Sequence, residues 1–206
     1  MKNPLPQVLS DRLAKQFGPG ALDSMLRVFD KPRLPTFRVN TLKASDELVM
    51  NRLRDDGIAF ERVKDIPHAF KIKNRSDDDL LKHELATSGQ IYLQGLTSML
   101  PPLLMDLKPG EQILDLCAAP GSKTSEMAAL VRNEARILAM EENEIRHKKL
   151  LNTIAIQGAT SVEARHGDST QLQKELPEAF DKVLADVPCS AEGRINFHDL
   201  RTYKYW

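Results

Sequence analysis

The residues best suited to chemistry lie in four short stretches, each at the end of a segment that reads as a β-strand. The first is Asp115-Leu116-Cys117-Ala118-Ala119-Pro120-Gly121-Ser122-Lys123-Thr124, which follows an apolar strand and opens a helix. Small residues there let the backbone approach a ligand closely. The first turn of the helix offers free N–H groups to an anionic end, such as the carboxylate of an amino-acid moiety. A plain strand-to-helix turn is the alternative. Lys123 sits unfavourably against the helix dipole unless it reaches a ligand or phosphate. Glu141 ends the next strand, about 20 residues or more past the glycine loop, where an acid suits the two hydroxyls of a ribose. Glu142 is its immediate neighbour, and a solvated helix-cap carboxylate is the plainer reading. Asp168 ends the third strand and can accept a hydrogen bond from the exocyclic amine of an adenine, or simply cap a helix. The fourth stretch is Asp186-Val187-Pro188-Cys189-Ser190.

An acid and a cysteine in one loop suggest a particular reaction. Carbon 5 of cytosine is a weak nucleophile. A thiolate attacking C6 makes C5 enolate-like, so that it can take a methyl cation from a sulfonium; the C5 proton then leaves and the thiol is eliminated. This requires a reactive cysteine and an acid hydrogen-bonded to the base, the types supplied by Cys189 and Asp186. Read singly, Cys189 is a small buried hydrophobe and Asp186 a capping residue. A cysteine after a proline at a strand end is expected to be partly exposed and near the ligand crevice.

Patterning supplies the elements that must position these residues. Val8 to Phe17 reads as a helix, and Leu22, Met25, Leu26 and Phe29 recur at helical spacing. Thr36 to Asn40 reads as a strand. Ser45 caps a helix carrying Leu48, Val49 and Leu53, which Gly57 ends. Strands follow at Ile58 to Val63 and Ala69 to Lys73, then a short helix around Leu80 to Leu85 and a strand at Ile91 to Leu93. The order predicts a small split βαβ sheet. From Leu96 a helix is interrupted or kinked by Pro101 and Pro102. Strands at Ile113 to Leu116, Arg136 to Met140, Val162 to Arg165 and Lys182 to Val187 then alternate with helices at Thr124 to Val131 and Asn143 to Gln157. Met127, Leu130 and Val131 are expected on one face of the first helix, and Leu150, Leu151 and Ile154 facing inward from the second. Such alternation predicts an α/β fold with a parallel, Rossmann-like sheet. The expected division is residues 1–95, an N-terminal α+β module, and residues 96–206, a partial Rossmann-like domain.

Bulk composition sets looser bounds. The 206 residues are 41% hydrophobic and 28% charged with a formal net charge of zero, an ordinary globular balance with no overall basic excess for nucleic acid. Two cysteines cannot build a disulfide framework, so a reduced, cytoplasmic setting is expected. No segment approaches the roughly 20 apolar residues of a membrane helix, and His147 and His166 lack metal-ligand spacing, so neither membrane nor metal is expected.

The runs Asp-Leu-Cys-Ala-Ala-Pro-Gly-Ser-Lys-Thr (115–124) and Asp-Val-Pro-Cys-Ser (186–190) resemble the Sun/NOP group of RNA 5-methylcytosine methyltransferases. Phe37-Arg38-Val39-Asn40-Thr41-Leu42-Lys43 resembles the signature of that family's N-terminal RNA-binding module. Gln90-Ile91-Tyr92-Leu93-Gln94 resembles its lead-in to the methyltransferase core. The resemblance implies a class I methyltransferase core using S-adenosylmethionine, with ribosomal or transfer RNA as partner. Cys117, Ala118, Ala119, Pro120, Gly121, Ser122 and Lys123 would hold the methionine part of the cofactor, Glu141 its ribose and Asp168 its adenine. Asp186 would sit between cofactor and base, and Arg38, Lys43 and Arg146 would serve RNA, Arg146 standing where an arginine commonly supports the ribose region. Cys189 would assist release of the methylated product, the attacking thiol belonging to a later Thr-Cys or Ser-Cys motif. That motif does not occur in this sequence. The chain is therefore expected to be a fragment of a longer protein. The alternatives are a non-catalytic RNA- or cofactor-binding module, whose basic strand face would be Phe37, Arg38, Lys43, Lys71 and Lys73, or Cys189 as nucleophile, as in DNA cytosine-5 methyltransferases.

Overall fold

The computed structural model of the chain describes residues 5–29, 31, 33–189 and 195. Two compact units divide it: Met1–Arg33 with Pro188–Trp206, and Leu34–Val187. In the first, α1 (Gln7–Phe17) and α2 (Pro19–Phe29) are separated by Gly18. Leu9 packs there with Leu5 and Ile195, and Leu13, Leu22, Leu26 and Phe29 close over them. Residues 196–206, which the sequence assigns to the second domain, lie outside the described residues.

The second unit carries two sheets. The first is built from β1 (Thr36–Val39), α3 (Asp46–Asp55), β2 (Phe60–Arg62), β3 (Ala69–Ile72), α4 (Asp77–Lys82), α5 (Glu84–Thr87) and β4 (Ile91–Leu93). All its pairings are antiparallel, in the order β2-β3-β1-β4. This is the split βαβ arrangement the sequence order predicts. Ser45 caps α3 by accepting from the Leu48 N–H, as its position before the helix requires. One difference is that the helix around Leu80 to Leu85 is two helices. His83 breaks it with an extended backbone (ψ 144°), ending α4 and capping α5. Phe37 and Val39 enter the core of this sheet with Val49, Leu53, Phe70 and Ile72, and the rings of Phe37 and Phe70 stack 5.4 Å apart. Full burial of one such side chain contributes about 1.5–3 kcal/mol.

The second sheet comprises α6 (Leu96–Leu104), β5 (Gln112–Asp115), α7 (Ser122–Leu130), β6 (Arg136–Glu141), α8 (Glu144–Gln157), β7 (Val162–His166), a 3-10 turn (Ser169–Gln171), α9 (Leu172–Glu175) and β8 (Lys182–Leu184). Its strands are all parallel, in the order β7-β6-β5-β8. The strand order reverses between β5 and β8. In open sheets of this kind the crevice for ligands lies at that reversal, outside the carboxyl ends of the strands.

Helix α6 runs without a break through Pro101 and Pro102, where the sequence suggests an interruption or a kink. A proline removes the N–H that would bond the carbonyl four residues back. For Pro102 that carbonyl belongs to Ser98, and it accepts the Gln94 side-chain amide instead at 2.9 Å. Helix α7 is buried at every position from 124 to 129, because it lies between the two sheets. Leu130 and Leu151, expected to face inward, are exposed, while Met127, Val131 and Leu150 are buried as expected.

The largest correction concerns the basic face expected on β1. Successive side chains of a strand point to opposite faces. With Phe37 and Val39 in the core, Arg38 and Asn40 point the other way, and that way is occupied. Arg38 is only 3% exposed, and its guanidinium donates to Gln94 Oε1 (3.0 Å) and Ser125 Oγ (2.8 Å). Asn40 Nδ2 donates to the carbonyls of Gly89 and Gln157, each at 2.8 Å. Lys43 Nζ donates to the carbonyls of Ser88 (2.9 Å) and Ile156 (2.5 Å). It thereby satisfies a free carbonyl in the last turn of α8, where a cation is favoured. Lys73 pairs with Glu61 at 2.9 Å. The Phe-Arg-Val-Asn-Thr-Leu-Lys run thus docks one sheet against the helices of the other. Arg38 is therefore not free for RNA as the sequence reading expects, whereas Lys43 remains exposed with its ammonium on two carbonyls.

Candidate functional site

Residues 115–124 join β5 to α7 at the strand reversal. The Leu116 N–H donates to the Leu184 carbonyl on β8 (2.9 Å), and the Ala118 N–H to the Met140 carbonyl on β6 (2.8 Å), so the loop is tied to both neighbours of its own strand. Gly121 then turns the chain into α7 with φ at 103°, a left-handed conformation that favours glycine. A Cβ there would also meet Thr153 at 3.0 Å, so the loop packs directly on α8.

Three carboxylates and two cations surround this loop. Asp115, 1% exposed, accepts from Thr124 Oγ1 at 2.8 Å through Oδ2, while Oδ1 is buried without a hydrogen bond. Burial lifts its carboxyl to about 6, against the opposing pull of the Thr124 and Cys117 donors. Glu141, at the tip of β6, is 5% exposed. Its Oε1 accepts from the Asn143 N–H at 3.0 Å, and its Oε2 is buried without a hydrogen bond, although Arg146 Nη1 lies 3.3 Å away. The same Arg146 Nη1 donates to Oε1 at 3.4 Å, so Oε1 takes both donors and Oε2 keeps its lone pairs unsatisfied. Glu142 is exposed, so burial separates the two adjacent acids. Arg146 Nη2 donates to the Ala119 carbonyl at 2.7 Å. Arg146 therefore braces the loop against Glu141. Asp186 Oδ2 lies 2.5 Å from Lys123 Nζ; the lysine side chain is 13% exposed and the aspartate 58%. The ion pair resolves the awkward first-turn position of Lys123.

The remaining expected residues divide. Asp168 caps the 3-10 turn: Oδ1 accepts from the Thr170 N–H (2.9 Å) and Thr170 Oγ1 (2.7 Å), and Oδ2 from Gln171 Nε2 (3.2 Å). These donors hold its carboxyl below the usual carboxylate range. The capping alternative is realised, with lone pairs left over on an exposed side chain. The Cys117 thiol is pushed up, first by burial and then by Asp115 and Glu141, which keeps it protonated and suits a loop residue rather than a nucleophile. Cys189 is exposed and falls in the other compact unit. Among the described residues no group of three or more His, Cys, Asp or Glu is gathered as metal ligands would be, and no helix is long and apolar enough to cross a membrane.

Two buried acids escape a sequence reading. Asp115 is quoted in the loop motif, but nothing in its type announces a buried carboxyl with one free oxygen. Glu126, in the middle of α7, is 5% exposed beside Arg38 and Gln94, and burial lifts its carboxyl to about 7. A charge among Met127, Ala128 and Ala129 was the available signal.

These two acids make stability depend on pH. Both pKa values are raised on folding, from 3.8 to about 6 and from 4.5 to about 7. The folded chain therefore holds protons that the unfolded chain has released. Their stabilising effect is full below about pH 4 and is lost as pH rises through about 6 and 7. At about 1.4 kcal/mol per pH unit, each is worth about 3 kcal/mol. Asp56, Glu61, Asp79 and Asp168 are shifted the other way and act below this window. Urea midpoints measured from pH 5 to 7.5 should fall with rising pH, and Glu126→Gln should flatten the upper part of the slope. A flat wild-type profile would contradict the burial assigned to both acids.

The family model described as 16S rRNA methyltransferase RsmB/F matches residues 102–204, and one described as the RsmF/B-like ferredoxin-like domain matches residues 5–77. Ribosomal RNA small subunit methyltransferase F of Cronobacter sakazakii is 36% identical over 194 residues, 92% of this chain and 40% of the relative. Its counterpart in Shewanella loihica is 32% identical, covering 90% of this chain and 39% of the relative. The chain thus spans about two fifths of the length of the curated relatives it matches. Among solved structures, a methyltransferase homolog protein from Pyrococcus horikoshii is 32% identical, with a TM-score of 0.81 over 98% of this chain and 65% of that one. NSun6 from Pyrococcus horikoshii with SFG shares the fold, at 20% identity and a TM-score of 0.83 over 92% of this chain and 72% of that one.

Proposed function

Because this chain belongs to the 16S rRNA methyltransferase RsmB/F family, we propose that it carries the S-adenosylmethionine site of an RNA (cytosine-5-)methyltransferase acting on ribosomal RNA in the cytoplasm. The observation that carries this reading is the buried Glu141 carboxylate, with one oxygen lacking a hydrogen bond and Arg146 bridging it to the loop at the strand reversal. An acceptor so placed suits a pair of ribose hydroxyls. Three carboxylates against two cations also suit a ligand that carries positive charge, as a sulfonium amino acid does. The matches at 5–77 and 102–204 leave room for a boundary near residue 95, so residues 1–95 are read as the substrate-binding module and 96–206 as the partial methyltransferase domain.

When bound, the cofactor supplies an electrophilic methyl group. Residues 117–123 would hold its methionine end, with the first-turn N–H groups of α7 facing the carboxylate. Glu141 would hold the ribose. Asp168 would take the adenine amine on lone pairs that its cap leaves free. Lys123, by pairing with Asp186, fixes that carboxylate in direction, so that it can accept a hydrogen bond from the target base. Cys189 follows in the same strand-end segment and would assist departure of the methylated product.

The test has two arms. RNA treated with the full-length gene product and S-adenosylmethionine should gain 5-methylcytosine by bisulfite sequencing. With Cys189→Ala, a covalent protein–RNA adduct should accumulate, because release fails while attack proceeds elsewhere. Loss of both adduct and turnover in that variant would instead make Cys189 the nucleophile, and no new 5-methylcytosine with the unaltered protein would refute the assignment.

A further inference from the structure

We propose that Arg38, on the antiparallel sheet, is a positioning residue for the donor-binding loop of the parallel sheet, acting through Ser125 on the turn at Gly121. This rests on the reading of residues 117–123 as the donor site. Arg38 Nη2 donates to Ser125 Oγ at 2.8 Å, and Ser125 Oγ in turn donates to the Gly121 carbonyl at 2.6 Å. Nη2 also lies 3.4 Å from the Ser122 carbonyl. Gly121 and Ser122 are the residues at which the chain turns from loop into α7, so the two contacts fix the direction of the first-turn N–H groups. The guanidinium is itself held on three sides. Gln94 Oε1 accepts from Nε at 3.0 Å, Glu126 Oε2 lies 3.9 Å from Nε, and the Tyr92 ring centroid lies 5.2 Å from Cζ. Gln94 closes the circuit by donating to Glu126 Oε2 at 2.8 Å.

Simple structural glue would not need this arrangement. Removing a buried ion pair in favour of apolar side chains is often neutral or stabilising, and here Arg38 Nη1 is left buried without a partner. What the arginine supplies that an apolar residue cannot is a rigid fork, one arm anchored in its own sheet at Gln94 and the other on the loop's turn. Lys43, by contrast, links the end of α5 at Ser88 to the last turn of α8 at Ile156, without touching the loop.

The comparison of these two contacts is the test. S-adenosylhomocysteine is titrated calorimetrically into the full chain, and amide hydrogen exchange is followed over residues 117–125. Ser125→Ala, which removes the relay without stranding a buried charge, should weaken binding about tenfold, the effect of one charge-assisted hydrogen bond, and speed exchange at 121–125. Arg38→Met should do the same or more. Arg38→Lys should recover thermal stability by keeping the charge beside Glu126, yet not affinity, because one ammonium cannot span Gln94 and Ser125. Lys43→Met should lower the thermal midpoint while leaving the Kd within about twofold. Unchanged affinity in Ser125→Ala, or an equal loss in Lys43→Met, overturns the proposal and leaves the donor site standing. If the unaltered chain does not bind the probe, the donor-site reading fails. Exchange in the ligand-free chain then still decides whether Arg38 and Ser125 hold the turn: acceleration in Ser125→Ala supports it and no change overturns it.

Discussion

Gly89→Ala is expected to lower the stability of the Leu34–Val187 unit by at least about 4 kcal/mol, measured by urea or thermal unfolding. Gly89 lies just before β4 with φ at +77°, and a Cβ there would stand 2.1 Å from the Ile156 carbonyl oxygen and 2.9 Å from its carbon. Both are backbone atoms in the last turn of α8, so no side-chain rotation relieves the overlap. The two sheets would have to part at the point where Asn40 and Lys43 also dock. Gly57 provides the control: its φ of +64° is similar, but nothing lies within 4 Å of an added Cβ. Gly57→Ala should lose only the backbone term, about 1–2 kcal/mol. Equal losses at the two positions would mean that the close approach at α8 is not what Gly89 provides.

Glu141→Ala should weaken S-adenosylhomocysteine binding by about 100-fold, whereas Glu142→Ala should change it less than about twofold. The contrast follows from burial. Glu141 offers an unsatisfied oxygen in a site shielded from water, where a hydrogen bond is strongest, and its loss also removes the partner of Arg146 Nη1. Glu142 is solvated and its carboxylate faces no partner that a ligand would replace. Glu141→Gln, which keeps the size and the Asn143 contact, should fall between. Titration calorimetry on the three variants decides it, and similar losses for Glu141→Ala and Glu142→Ala would remove Glu141 from the site.

Much of this architecture is legible in residue order. Apolar runs of four to six residues alternating with helical spacing give the parallel sheet, and Ser45 and Gly57 bracket α3 as capping chemistry dictates. The loop at 115–124 is legible because small residues, a glycine and a lysine gather between a strand and a helix. The choice of Glu141 over Glu142 follows its place at the strand end, and in the fold Glu141 is buried while Glu142 is exposed. What escapes the sequence is the partner of a polar face. The alternation Phe37, Arg38, Val39, Asn40 states that one face is apolar and one polar, and a polar face reads as solvated. Here it is covered by α7, buried from 124 to 129, and by the end of α8, and the polarity becomes a set of buried hydrogen bonds. The same limit applies to Pro101 and Pro102: the missing donors are visible in the sequence, but the Gln94 amide that compensates one of them is not. Leu130 and Leu151 show the converse, since a two-residue apolar run on a helix cannot state which member faces the core.

The seven residues from Phe37 to Lys43 grip α7 through Arg38 and the end of α8 through Asn40 and Lys43. Those helices flank the loop at the strand reversal on two sides. A strand fastened at both places behaves as a gauge block: the spacing from the outer sheet to the crevice is machined into the chain rather than adjusted by a hinge. A ligand resting on both would therefore meet one fixed spacing.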